Sequence, residues 1–262
     1  MQKKPNRKQN EKDKDLFHQP IGFGDIITMD NANILKPKQA SRHGGKIVCI
    51  ILDRYTGWLG AYPSPDRTTS SIVASLQHFI GRKETCNLLY FDNADEYLAA
   101  AKQMQITYDT RDANRPASNG VAERAVRSLL EGARSVLFES GLQHCYWAEA
   151  ADYFSFTKNI TVPVRDTKKT PYELRHGKKC KGTHIPFGAL VRYLPTSNEE
   201  VGLRGKFDRR TRHVSSSDAK FSQVAAGLAC TRSWMSRPTR MALTEIRCPS
   251  TSRRKYIWRM TP

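Results

Sequence analysis

Apolar residues recur along the chain in two rhythms, and the switches between them predict its elements. Residues 1 to 20 carry almost nothing apolar and read as a basic tail or linker, because such a stretch cannot offset the entropy of ordering. From Phe23 the texture changes. GDIITMD, KIVCIILDRYTG and WLGAYP are short β-rich runs separated by a Gly/Pro/Asn-bearing loop and a tight RYTG turn, which predicts three consecutive antiparallel strands. In TTSSIVASLQHFIG, Ile72, Leu76, Phe79 and Ile80 follow helical spacing and Gly81 supplies a stop. NLLYFDN is a short apolar run ending in an acid, as a buried strand would end. A short helix between Glu96 and Gln105, a last strand ITYDT and the polar loop RDANRPASNG follow.

A long helix is predicted from near Asn119. Val121, Ala125, Leu129, Leu130, Ala133, Val136 and Leu137 recur at three and four, and Gly141 closes the pattern. HCYWAEAADYFSFTKN is a second helical stretch, rich in aromatic residues. TPYELRHG predicts a short capped helix with Thr170 as N-cap, Pro171 as first residue and Glu173 completing a capping box. IPFGALVRYLP predicts a strand, and residues 215–262 lose periodicity. The order of strands and helices makes an α/β sandwich of mixed strand direction. The expected organisation is a tail at 1–20, a core at 21–160, a following segment at 161–214 and a poorly structured extension at 215–262.

Charge narrows the class of partner. The 43 Lys and Arg against 25 Asp and Glu leave a formal charge of +18, which favours a polyanion, with nucleic acid first. The six cysteines, Cys49, Cys86, Cys145, Cys180, Cys230 and Cys248, show none of the close pairs of zinc or redox sites and read as reduced thiols of an intracellular protein. No apolar run is long enough for a membrane helix, so no membrane partner is expected.

Three acids stand where a metal site can be assembled: Asp30 at the end of the first strand, Asp92 at the end of the fourth and Glu123 in the first turns of the long helix. If the first and fourth strands are neighbours, Asp30 and Asp92 emerge side by side. Two carboxylates about 4 Å apart repel by about 4 kcal/mol at an effective dielectric near 20, so such a cluster survives by protonation or by binding cations. Hard oxygen donors select Mg²⁺ or Mn²⁺. Taken singly, Asp30 and Asp92 read as helix caps or turn acids and Glu123 as a solvated first-turn acid favoured by the helix dipole.

Resemblance groups them. FDNADEY, the polar loop after it and NGVAERAVRSLLEGARSVL resemble the second half of a retroviral-type integrase catalytic core, most closely the copia-type retrotransposon branch. In that family an Asp-Asn-Gly/Ala-x-Glu strand end precedes an Asn-Gly-Val-x-Glu-Arg helix start, and the acid triad falls on the matching Asp92 and Glu123. GDIITMD is similar to the family's first strand and puts the first acid at Asp30, with Asp25 as the alternative. SGLQHCYWAEAADYFSFTKNI, TPYELRHGKK and IPFGALVRYLP resemble the stretch after the core in copia-type polyproteins. The likeness runs from Gly22 to about Val214. It departs in spacing, with 30 residues between Asp92 and Glu123 (123 − 92 − 1), fewer than is usual, and in a loop reading RPASNG where Pro-Gln-x-Asn-Gly is more common.

The resemblance implies an RNase H-like five-stranded mixed sheet flanked by helices. It implies two Mg²⁺ or Mn²⁺ ions on Asp30, Asp92 and Glu123, serving end processing and strand transfer of element DNA into target DNA. The active form is expected to be a nuclear homo-oligomer. Asn119, Arg124, Arg127 and Arg134 are the expected DNA contacts, Arg127 and Arg134 because they share the face of Glu123 on the helix. The alternatives are a catalytically inert nucleic-acid-binding remnant and an RNase H-like nuclease.

Overall fold

A computed structural model describes residues 19–34, 40–110, 120–164, 167–181 and 184–193, together with the backbone of three later strands at 212–215, 240–246 and 255–261. Strands β1 (Ile26–Asn33), β2 (Ile47–Asp53) and β3 (Leu59–Ser64) form an antiparallel meander. Helix α1 (Thr69–Ile80) returns the chain to β4 (Leu88–Phe91), which pairs parallel with β1. Helix α2 (Asp95–Gln103) leads to β5 (Tyr108–Thr110), parallel to β4. The sheet order is β3-β2-β1-β4-β5, the five-stranded mixed sheet expected from the sequence.

Strand alternation sends side chains to two separate cores. Ile27, Met29, Cys49, Ile51, Leu89 and Phe91 face α1 and α2, where Ile72, Leu76, Phe79 and Tyr97 close the layer. Val48, Ile50, Leu59 and Ala61 face the other way, against α3 (Gly120–Ser140) and α4 (Trp147–Thr161). α4 is entered through a 3-10 turn, His144–Tyr146. Gly132 of α3 lets these two helices approach closely: a Cβ there would stand 2.1 Å from a ring carbon of Phe154.

Two distant side chains tie later segments to the sheet. Asn159 of α4 accepts from the Leu59 N–H (2.9 Å) and donates to the Leu59 carbonyl (2.8 Å), completing the backbone pairing of an edge strand. Helix α5 (Pro171–His176) has the capping box predicted from Thr170 and Glu173 and ends on Gly177 in the left-handed region. Its Arg175 bonds Glu84 (2.6 Å) and the Phe79 carbonyl at the end of α1 (2.9 Å), and lies 3.8 Å from the Phe23 ring centre. Beyond α5, β6 (Leu190–Tyr193) joins β7 (Arg212–Ser215), β8 (Arg240–Ile246) and β9 (Lys255–Thr261) in a second sheet, ordered β7-β6-β9-β8. β8 and β9 fall where the sequence pattern shows no period.

Two expectations need correction. Asp30 does not end β1: the strand runs three residues further, because its pairing with β2 continues from Ile27↔Asp53 to Asn33↔Ile47 although DNAN is polar. Cys49, Cys86 and Cys145 are free thiols as read, but Cys180 is in a disulfide, which no close cysteine pair in the chain signalled. Among the described residues no helix is long and apolar enough to cross a membrane.

Candidate active site

The pairing of β1 with β4 decides where the acids go. The register runs Ile26↔Leu88, Ile27↔Leu89 and Thr28↔Tyr90. Continued by two residues it sets Asp30 opposite Asp92. Here the parallel pair parts, since β4 stops at Phe91 while β1 goes on along β2. Each acid receives the N–H of its own successor: Asn31 N–H donates to Asp30 Oδ1 (2.7 Å) and Asn93 N–H to Asp92 Oδ1 (2.9 Å). The Ala94 N–H donates to the Asp92 carbonyl (2.7 Å) and fixes the turn into α2.

Glu123 lies in the first turn of α3, the helix packed across β1 and β2, so it approaches from the face that Ala32, Ile50 and Val48 share. Asp30 is half-buried; Asp92 and Glu123 are exposed. Burial holds the Asp30 carboxyl above its ordinary range, against the pull of the Asn31 N–H. The charges of Asp92 and Glu123 raise it further and that of Arg67 lowers it. Asp92 and Glu123 are therefore each within electrostatic reach of Asp30.

Asp25, the alternative first acid, sits at the other end of β1. It is buried and accepts from the Ile21 N–H (3.0 Å) and from Asn87 Nδ2 (3.2 Å), which makes it a fastening between the starts of β1 and β4. Of the expected DNA contacts, Arg127 and Arg134 are exposed on α3 at four and eleven residues from Glu123, within about 40° of it around the helix. Arg124 is also exposed, and its Nη1 folds back over Gly120, 3.5 Å from where a Cβ would be. Asn119 lies outside the described residues.

Arg67 was not singled out from the sequence. It stands in the loop between β3 and α1, half-buried, with its guanidinium 5.3 Å from the Tyr97 ring centre and its Nε 4.0 Å from Glu96 Oε1. PSPDRTTS gives no sign of this. The packing partner lies in α2, thirty residues on, and only the fold brings it near.

Carboxylate oxygens alone make a donor set for a hard divalent cation. A cation is also what removes the cost of the half-buried Asp30 charge beside other acids. Asp30 and Asp92, from the neighbouring strands β1 and β4, and Glu123 on α3 are the acids the sequence singled out for that role. Among the described residues, however, no three His, Cys, Asp or Glu side chains are grouped closely enough to hold one ion as they stand.

The fold is of the RNase H-like class. It is similar to a chain of the simian T-cell lymphotropic virus intasome in complex with PP2A regulatory subunit B56 gamma, with TM-score 0.50 and 17% identity over 76% of this chain and 73% of that one. In sequence the chain is similar to the Gag-Pol polyprotein of Koala retrovirus, 25% identical over 146 residues, which cover 52% of this chain and 8% of the polyprotein. It is likewise 25% identical over 172 residues to the Gag-Pol polyprotein of Avian reticuloendotheliosis virus, 62% of this chain and 13% of that polyprotein. The matches thus span only a small part of those polyproteins. No family model matches the chain.

Proposed function

We propose that this chain is the catalytic core of a retroelement integrase, a polynucleotidyl transferase that processes element ends and joins them to target DNA. What supports this reading is the parallel pairing of β1 with β4, which runs to Thr28↔Tyr90, two residues short of Asp30 and Asp92, with the charges of Asp92 and Glu123 both raising the Asp30 carboxyl. Asp30 and Asp92 would hold one ion and Glu123 would complete a second site. Mg²⁺ or Mn²⁺ bound there would supply Lewis-acid stabilisation for in-line displacement at a phosphate. The chain's own contribution is to fix the acids and, through Arg127 and Arg134, to hold backbone phosphates along the exposed face of α3. Arg124 and Asn119 would add contacts near the helix start.

The motifs after the core point to the copia-type branch, while the similar polyproteins are retroviral. DNA, a homo-oligomeric active form and a nuclear site of action belong to the same proposal.

The test is joining of labelled element-end oligonucleotides to target DNA with Mg²⁺. Wild type is expected to join, and Asp92→Asn to lose the activity by about 10³-fold or more. Hydrolysis of RNA–DNA hybrids without joining would point to a nuclease instead. A second reading, an inert nucleic-acid-binding protein, draws on the absence of three grouped ligands among the described residues. It predicts that wild type and Asp92→Asn are equally inactive and bind DNA with the same steep inverse salt dependence.

A further inference from the structure

Arg175 draws separate segments together at the end of the sheet where β1 begins. Its guanidinium donates to Glu84 Oε2 (2.6 Å), in the loop between α1 and β4, and to the carbonyls of Phe79 (2.9 Å) and Ile80 (3.4 Å) at the end of α1. That loop is fastened in turn to the chain entering β1, since the Asn87 N–H donates to the Gly24 carbonyl (2.8 Å). On its other side α5 rests on the β2–β3 turn. Val164 and Pro171 stand 3.4 and 3.9 Å from where a Cβ on Gly57 would be, and the His176 ring centre lies 5.5 Å from that of Trp58. Asp30 comes five residues after Asp25, roughly 17 Å of extended chain, so this rim is remote from the proposed acids.

The rim is strongly basic. Residues 81–87 and 167–181 hold eight Lys and Arg against two acids, an excess of 6 (8 − 2), which is a third of the formal charge of the whole chain in 22 residues. Both acids are already engaged, Glu84 by Arg175 and Glu173 in the capping box of α5. Arg82, Lys83, Lys168, Lys169, Lys178 and Lys181 are exposed and make no ion pair among the described residues. Lys179, 87% exposed, reaches Glu173 only at 4.0 Å. The backbone holds these charges in place although they repel. Lys168 stands at φ 52°, in the left-handed region that favours glycine, and the Val164 N–H closes the loop on the Lys169 carbonyl (2.9 Å).

The layout suits a duplex. Helix α5 has six residues and is roughly 9 Å long, so Lys168 and Lys169 before it and Lys178 and Lys179 after it stand roughly 12 to 15 Å apart. The major groove of B-form DNA is about 12 Å wide, with phosphates along both edges. We infer that this rim is a second seat for DNA, in which the lysine pairs on either side of α5 take phosphates of a duplex at a distance from the acids. The inference deepens the integrase reading and rests on it for DNA as the polyanion; it adds a surface that neither the acids nor the arginines of α3 include.

The experiment measures binding of a short fluorescent duplex of mixed sequence to the full chain, by anisotropy over a series of salt concentrations. Wild type is compared with Lys168→Gln/Lys169→Gln, Lys178→Gln/Lys179→Gln, Lys178→Arg/Lys179→Arg and Lys46→Gln. Each Gln pair is expected to weaken binding about tenfold at about 0.1 M salt and to lower the slope of log affinity against log salt by about 1 to 2, as the loss of up to two phosphate contacts requires. The Arg pair keeps the charge and Lys46 is exposed beside the opposite end of β2, so both of those variants should follow wild type. Slopes unchanged in both Gln pairs, or lowered no more per charge than by Lys46→Gln, overturn the inference alone. So does loss of binding to phosphatidylserine vesicles with duplex binding intact, which would make the rim a membrane contact. A wild type that does not bind the duplex overturns the integrase reading and this inference together. Duplex binding that depends on the rim, in a wild type that joins no DNA ends, overturns the integrase reading and upholds the second seat.

Discussion

Asp152→Asn is expected to stabilise the protein at neutral pH and not in acid. Asp152 lies on α4, the helix packed on β3, three residues after the buried Glu149. Burial, and after it the charge of Glu149, pushes its carboxyl from 3.8 up to about 6. The folded state therefore holds a proton more tightly than the unfolded chain. Stability from this group is fully present below about pH 4 and is lost as pH rises through about 6. The shift of about 2 units, at 1.36 kcal/mol each, sets a ceiling of about 3 kcal/mol. Part of Asp152 is exposed and its charge is coupled to Glu149, so about 2 kcal/mol is the working figure. The amide keeps the shape and cannot ionise, which leaves Glu149 to Arg42 (3.7 Å) and His43 (3.3 Å). Thermal unfolding should show Asp152→Asn melting about 4 to 8 °C above wild type at pH 7.5 and within about 1 °C of it at pH 4. An equal effect at both pH values, or a loss at pH 7.5, would refute the argument.

Asn159→Ala removes both bonds to the Leu59 backbone and leaves a buried N–H and carbonyl unpaired. Urea unfolding should register a loss of about 3 kcal/mol, and Asn159→Asp, which keeps the acceptor but not the donor, should recover only part of it. Gly132→Ala forces a methyl into the Phe154 ring and is expected to cost about 3 kcal/mol, and Phe154→Leu in the same chain should return most of that; two costs that simply add would show that α3 and α4 do not meet there.

The elements were legible wherever the signal is local. Ile72, Leu76, Phe79 and Ile80 recur at helical spacing and all four are buried; Thr170, Pro171 and Glu173 spell a capping box and make one. The meander could be read because alternation in DIITMD and IVCIILD serves two cores, one per face. What stayed hidden depends on partners far along the chain. The polar DNAN was read as leaving the sheet because nothing local says that β2 continues beside it. Asn159 reaches Leu59 across a hundred residues, and Arg67 acquires its neighbours only when α2 folds back over the β3–α1 loop. The expectation that Asp30 and Asp92 emerge side by side rested on β1 and β4 being neighbours, and that adjacency is a fact of topology the sequence does not carry.

The overrun of β1 past β4 also gives the three acids unequal freedom. Asp30 keeps its backbone pairing to Ile50 in β2 and is fixed by the middle of the sheet. Asp92 sits one residue beyond a strand end, in a turn held by the Ala94 N–H and its own carboxylate. Glu123 stands in the first turn of a helix, three residues after its start at Gly120. On the proposed reading, a site taking up cations between one fixed carboxylate and two on element ends could adjust its opening without disturbing the core, since Ala125 and Leu129 anchor α3 to the sheet from its next turns. The proposal then predicts that grouping the acids around an ion would move exposed side chains at two element ends and leave β1 unchanged.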